Sequence, residues 1–436
     1  MARAHNDLTT RPETTVSSAD DASPERAAGA AGRSWTLRLV VVGMVVAALN
    51  LRPAISGLGP LLEEVRHGLG MSGTVAGMLT SMPSLCFAVF GGLAPRLARR
   101  WGPAAVVLGG MIAITVGLAV RPFAQETVFF LAFSALALAG IAVSNVLMPV
   151  VVKHWFPDRV GSMTGLYSMA LAVGTAGAAA VTVPMTDALG GSWQAGIGAW
   201  AVLGVFGVLP WAAVAARRGD GGARSGGERA GTEGAAPAPK LRITKSTTAW
   251  ALAGFFGLQA SAAYITMGWL PQIFRDAGLS ASTAGLLLAV TMGMGIPLSF
   301  VLPRIAARMR HQGPLVAFLG VCGLLGYAGL WWAPAGGAWV WVLLLGFSNC
   351  AFPVALTMIG MRSRTGGGVV KLSAFAQSTG YLLSVPGPLL VGALHGTSGG
   401  WHAPLILMAG LMAVQIGVGV LAGRDRCVED EPRVGH

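Results

Sequence analysis

Polar and charged residues fall into short clusters along the chain, separated by apolar stretches of about 20 residues, the length of helix that crosses a hydrocarbon layer of about 30 Å. The pattern predicts twelve membrane helices: residues 37–62, 74–94, 103–121, 127–151, 161–185 and 193–215, then 248–273, 283–302, 314–332, 338–360, 372–394 and 402–422. A run that is apolar on every side has no face to turn to water, so lipid is its solvent.

Composition agrees. Of 436 residues, 54% are apolar and 11% charged, against about 25% charged in a soluble domain. The formal charge of +12 raises the question of nucleic acid, but the basic residues sit in loops between spans and not on one basic face. Orientation accounts for them. With both termini in the cytoplasm, all but four of the 30 Lys and Arg lie inside; Arg66, Arg121 and Arg275 lie outside and Arg52 within a span. That is the asymmetry of a multi-pass protein of the cytoplasmic membrane.

The expected organisation is a disordered cytoplasmic tail (1–36), a six-helix bundle (37–215), a Gly/Ala-rich cytoplasmic linker (216–247), a second six-helix bundle (248–422) and a short cytoplasmic tail (423–436). Residues 1–33 have no apolar core of a signal peptide. The first span then serves as the insertion signal.

The two bundles read as a repeat. Residues 76–96 (AGMLTSMPSLCFAVFGGLAPR) and 284–304 (AGLLLAVTMGMGIPLSFVLPR) share an Ala-Gly opening and a Pro-Arg ending at equal separation. At nearly the same offset, Ser144-Asn145-x-x-x-Pro149-Val150 returns as Ser348-Asn349-x-x-x-Pro353-Val354. Two matches in equivalent spans imply duplication of a six-helix unit, giving an all-α fold of two pseudo-symmetric bundles with a binding site at their interface, as in major facilitators. After spans two and eight come Arg96, Arg99 and Arg100, and Arg304 and Arg308. The first group resembles the major-facilitator loop motif, with Ala94-Pro95 where an Asp-Arg pair is usual, so gating and simple orientation are both open to these arginines.

Chemistry is concentrated in polar residues at depth. An ionisable group at a bilayer centre costs about 2.5–3.5 kcal/mol even on a lenient scale, and Arg52 is the one expected there, roughly 21 Å along its helix. No Asp or Glu falls in a span interior, so Arg52 has no buried carboxylate in view. A guanidinium facing a wet cavity suits an anion, because its planar donor fork matches carboxylate-like oxygens. Arg52 is the expected main substrate contact; anchoring the first span is the structural alternative. Pro53 beside it should kink the helix. Asn50, Asn145, Tyr264, Trp269, Asn349, Gln377 and Tyr381 complete the candidate binding set, each equally able to serve as an interhelical hydrogen bond.

Other classes find little support. Cys86, Cys322, Cys350 and Cys427 are scattered without metal-ligand spacing, so no metal or disulfide framework is expected. No nucleophile motif, His-Glu-x-x-His or phosphate-binding Gly-x-x-x-x-Gly-Lys appears, so neither an enzyme nor an ATP-driven pump is expected, and no cofactor is called for. The tails are too short for a sensor or scaffold with a soluble domain. A monomer is expected.

The segments Ala48-Leu49-Asn50-Leu51-Arg52-Pro53-Ala54-Ile55, Ser144-Asn145-Val146-Leu147-Met148-Pro149, Trp269-Leu270-Pro271 and Leu372-Ser373-Ala374-Phe375-Ala376-Gln377-Ser378 resemble the cyanate and nitroimidazole transporter family of the major facilitators. The resemblance covers about residues 38–422. It implies secondary or facilitative transport of a small anionic or polarised solute, cyanate-like or nitro-aromatic, by alternating access. Export of drugs or xenobiotics, suggested by 18 methionines and an apolar interior, is the second expectation.

Overall fold

In a computed structural model the described residues, 24–219 and 243–431, are helical almost throughout. Most of the 216–247 linker and residues 1–23 lie outside them. Ten helices are long and apolar enough to cross a membrane: α1 (Trp35–Gly68), α2 (Gly73–Trp101), α3 (Pro103–Phe123), α4 (Thr127–Trp155), α5 (Ser162–Ala188), α6 (Trp193–Ala216), α8 (Ala281–Arg308), α9 (Gly313–Trp332), α10 (Ala338–Met361) and α12 (His402–Ala422). Two further helices pack among them. They are α7 (Thr247–Asp276) and α11, made of Gly366–Ser384 and Pro386–Ser398. Both are diluted by polar residues, Gln259, Thr266 and Gln272 in α7 and Ser373, Gln377 and Ser384 in α11. Gln259, Thr266, Gln272 and Ser384 are buried and Ser373 and Gln377 half-buried, a first sign that these helices line something other than lipid.

The helices extend past the apolar runs at both ends, because a helix continues until its backbone is capped, not until the hydrocarbon stops. Gly102, with φ of 80°, ends α2 in a conformation that a side chain disfavours. The helix entering α1 starts at Pro24, so residues 24–36 are helical where a tail was expected; Ala27, Ala28, Ala30 and Ala31 favour helix despite low overall apolarity.

Helices α1–α6 pack mainly with one another, and α7–α12 do the same. Between the two groups the closest seams are α5 against α8 and α2 against α11. The duplicated segments occupy corresponding places. Residues 76–96 lie in α2, which has a π turn at Phe87–Gly91, and 284–304 lie in α8, which is broken at Met294.

Candidate binding cavity

The first helix breaks at Leu51 and Arg52. Pro53 has no N–H to offer the Leu49 carbonyl four residues back, and its ring crowds that turn. The Leu49 carbonyl instead packs against Gly174 of α5, where an added Cβ would come within 2.6 Å of it. The Arg52 carbonyl restarts the helix by accepting from Ile55 N (3.0 Å), Ser56 N (2.9 Å) and Ser56 Oγ (3.0 Å). The break releases the Arg52 side chain from the helix surface.

That side chain lines a cavity of about 380 Å³ bounded by α1, α5, α7, α8, α10 and α11, helices drawn from both bundles. Among the described residues Arg52 is the one charged side chain on its wall. No carboxylate lies within salt-bridge distance of it among them. Tyr264 and Tyr381 share the wall with it instead, the Tyr264 hydroxyl within hydrogen-bonding reach, and Tyr167 behind the wall also feels its charge. Phenols can accept from a guanidinium and donate to a bound solute at once. The remaining wall is apolar and adaptable, with Met169, Met267, Met292 and Phe352 beside a few hydroxyls and Asn349.

Tyr381 is fixed by its neighbours. Its ring stacks on Phe87 (centroids 4.9 Å apart) and meets Phe256 edge-on at 5.0 Å, with Phe352 a further 5.5 Å from Phe256. Offset and edge-to-face pairs of this kind hold rings rigidly. The cavity therefore carries a fixed aromatic surface near its single charge.

Of the eight residues singled out from sequence, Arg52, Tyr264, Asn349 and Tyr381 meet at this cavity. Asn145 is off the wall and accepts from the hydroxyl of Tyr167, itself off the wall. Gln377 is off the wall and donates to Ser373 Oγ one turn back in its own helix (2.7 Å). Asn50 is fully buried in the first bundle near Gly207 of α6, with neither side-chain polar atom partnered; it neighbours Arg52 in sequence but projects to another face of the helix. Trp269 is also fully buried away from the cavity, and its Nε1 donates to Thr80 Oγ1 across the bundles at 3.1 Å. Arg96, Arg99, Arg100, Arg304 and Arg308 are exposed and pair with no carboxylate among the described residues.

Trp269 belongs to a seal at one end of the interface. Arg275 of α7 binds Glu63 and Glu64 of α1, and Gln272 donates to Glu63 Oε2 at 3.3 Å. Deeper along the same seam, near mid-helix, Ser384 of α11 donates to Ser84 of α2 at 2.7 Å. Asp276 accepts from Gln272 and Trp401, and His395 stacks on Trp401 with centroids 4.2 Å apart. At the opposite end of the helices, where α2 meets α3 and α8 meets α9, the described residues make no ion pair between bundles. One end of the cleft is thus held shut by a polar network of which the sequence pointed only to Trp269, because the charged members Glu63, Glu64, Arg275 and Asp276 sit at span ends and look like loop.

One expectation is corrected here. Arg121, counted among the external loop charges, has a side chain 2% exposed that turns back into the first bundle. Arg121 and Arg362 are buried more fully than Arg52, which is half-buried on the cavity wall. Helix length gives the position of a Cα, and a long side chain moves its charge several ångströms from there.

A helical membrane bundle with a solute-sized cavity between two similar halves, closed at one end, defines a transporter of the alternating-access class. The chain belongs to the Major Facilitator Superfamily, whose family model matches residues 44–385. It is 32% identical over 395 residues to the 2-nitroimidazole transporter of Escherichia coli (strain K12), covering 89% of this chain and 96% of that one. To the cyanate transport protein CynX of the same strain it is 29% identical over 383 residues, covering 86% and 95%. Among solved structures, the nucleoside transporter NupG superposes with a TM-score of 0.71 at 11% identity, covering 88% of this chain and 99% of that one. This is a multi-pass membrane transporter and not an enzyme.

Proposed function

We propose that the chain moves a small anionic or polar organic solute, cyanate-like or nitro-aromatic, across the cytoplasmic membrane as a monomer, by facilitated or secondary active transport. In this reading α7 and α11 also cross the bilayer, making twelve spans, with both termini and the basic loops in the cytoplasm. Arg52 is the main substrate contact. The observation that carries this is the guanidinium without a carboxylate partner on the wall of the central cavity, with Tyr264 and Tyr381 on the same wall.

An anion entering the cavity gains a charge-assisted, two-pronged hydrogen bond that no protein carboxylate competes for. The tyrosines add neutral donors and an aromatic face, which suits a planar, delocalised solute better than a flexible one. The 2-nitroimidazole and cyanate transporters among the relatives are named for solutes of that kind. Rocking of the bundles about the central cavity then exposes it to each side in turn, and the exposed basic residues Arg96, Arg99, Arg100, Arg304 and Arg308 set orientation or gate the open end.

The test is uptake of cyanate and of 2-nitroimidazole by Arg52→Lys and Arg52→Ala at equal membrane abundance. Loss in both, with the lysine retaining more for the anion, is expected; transport at the normal rate in both variants refutes the assignment.

A second reading is drug export, favoured by Met169, Met267 and Met292 on the wall, since thioethers adapt to varied apolar ligands. Whole-cell accumulation separates the two, because export lowers internal solute.

A further inference from the structure

A more deeply buried arginine lies farther along the same path. Its backbone is at the end of α3, but the Arg121 side chain turns inward and its Nη1 lies 3.5 Å from the Ala54 carbonyl, two residues beyond Arg52. Its guanidinium carbon stands 5.8 Å from the Phe130 ring centroid. No carboxylate pairs with it among the described residues, and its Nε has no hydrogen-bond partner. Those contacts are meagre for a full charge that is 2% exposed, because an unpaired buried ion is among the costliest things a fold can carry.

Arg121 lines a small cavity of about 20 Å³ together with Ser134, Thr80 and Tyr264. Ser134 is 1% exposed and its Oγ is also unpartnered. Two unsatisfied donors, one of them cationic, therefore border a space that holds one occupant of about the size of a water molecule or halide ion. A water would satisfy hydrogen bonds but leave the charge uncompensated. A small monovalent anion does both.

Position gives this cavity a further meaning. Along α1 the order is Arg52 at the central cavity, Ala54 to Leu62 on the wall of the small one, then Glu63 in the seal. Tyr264 lines both cavities, so one phenol stands between the two arginines.

We propose that Arg121 and Ser134 form a second anion site, for a monovalent anion of halide size, between the central cavity and the sealed end. The site does not depend on Arg52 binding cargo. Its occupant is either an inorganic counter-ion or the leading end of a small cargo anion; both present compact negative charge to the same two donors.

The test uses the purified full-length protein in gluconate buffer, with chloride or cyanate titrated in at constant ionic strength and the thermal midpoint followed, since a ligand of the folded state raises it by mass action. Chloride should raise the midpoint of the native protein and of Arg52→Gln, leave Arg121→Gln unmoved, and bind roughly fivefold more weakly to Ser134→Ala, the equivalent of one neutral hydrogen bond. A cyanate response that survives Arg52→Gln and vanishes in Arg52→Gln/Arg121→Gln identifies the occupant as cargo; a response of Arg52→Gln to chloride alone identifies a counter-ion. An undiminished chloride response in Arg121→Gln, or none in the native protein, overturns the site. Should Arg121→Gln fail to fold, bromide-soaked crystals of the native protein decide: anomalous density beside Arg121 Nε supports the site, and bromide bound only elsewhere refutes it. Loss of organic-anion binding in Arg52→Gln with the chloride response intact separates this site from the central one.

Discussion

Arg275 and Glu64 clasp the two bundles together: Arg275 Nη1 lies 2.7 Å from Glu64 Oε2, while its Nη2 lies 3.1 Å from Glu63 Oε2. Nη1 also donates to the Pro60 carbonyl at 3.1 Å. The arginine side chain is 17% exposed, so these contacts are partly shielded from water. A bond of this kind must break each time the sealed end opens.

Removing it should bias the transporter toward the conformation open at that end. In a cysteine-free background carrying Ser84→Cys, the double variant Glu63→Gln/Glu64→Gln is expected to label with a membrane-impermeant thiol reagent at least about tenfold faster, the effect of about 1.4 kcal/mol on the conformational equilibrium. An unchanged labelling rate would show that apolar packing, not the ion pairs, keeps the seam shut.

Around Arg52 the phenols should matter by class of solute. Tyr264→Phe removes one hydroxyl within reach of the guanidinium and should weaken binding about three- to tenfold, the net worth of a hydrogen bond. Tyr381→Phe keeps the ring that Phe87 and Phe256 hold and should spare aromatic solutes, whereas Tyr381→Ala should impair nitro-aromatics more than cyanate. Calorimetric affinities for both solutes across the three variants decide this. Equal losses for both solutes in Tyr381→Ala would exclude an aromatic contact.

The C-terminal segment makes stability pH-dependent. Glu431 caps the start of α7, accepting from Thr247 N at 2.9 Å and Thr248 N at 2.7 Å. Burial pushes its carboxyl up, but hydrogen bonds from Thr248, Ser246 and Thr247 outweigh that and hold it below its ordinary value. A lowered folded value means the cap stabilises fully above the ordinary carboxylate range and fades as pH falls through the lower folded value. Glu431→Gln should therefore lower the thermal midpoint at pH 7, by about 0.5–1 kcal/mol of stability for a half-exposed cap. The gap from the native protein should close below about pH 4. A gap that stays constant with pH would mean that the carboxylate charge contributes nothing.

Much of the architecture is legible in one dimension because each helix solves its own solvent problem. Lipid rewards any continuous apolar run with its own backbone hydrogen bonds, whatever its neighbours do. The apolar pattern thus placed a helix in each of the twelve stretches, with several ends six or seven residues short, α7 and α11 included, although these two are too polar to be recognised as spans by length and composition alone. The repeat from Ala76 to Arg96 and from Ala284 to Arg304 marked matching helices in the two bundles, and Pro53 marked the break that frees Arg52.

Side-chain direction was a different matter. Asn50 and Arg52 are two residues apart, yet one is sealed in the first bundle and the other lines the cavity, because the backbone breaks between them. Trp269 and Tyr264 share a helix, yet one closes the seal with Thr80 and the other walls both cavities. Arg121 reads as a loop residue until its side chain is seen folded inward. The sequence determined which segments enter the membrane and which residue types they carry; tertiary structure alone decided which of those side chains converge, since packing between distant helices sets the rotation of each about its axis and no local preference does.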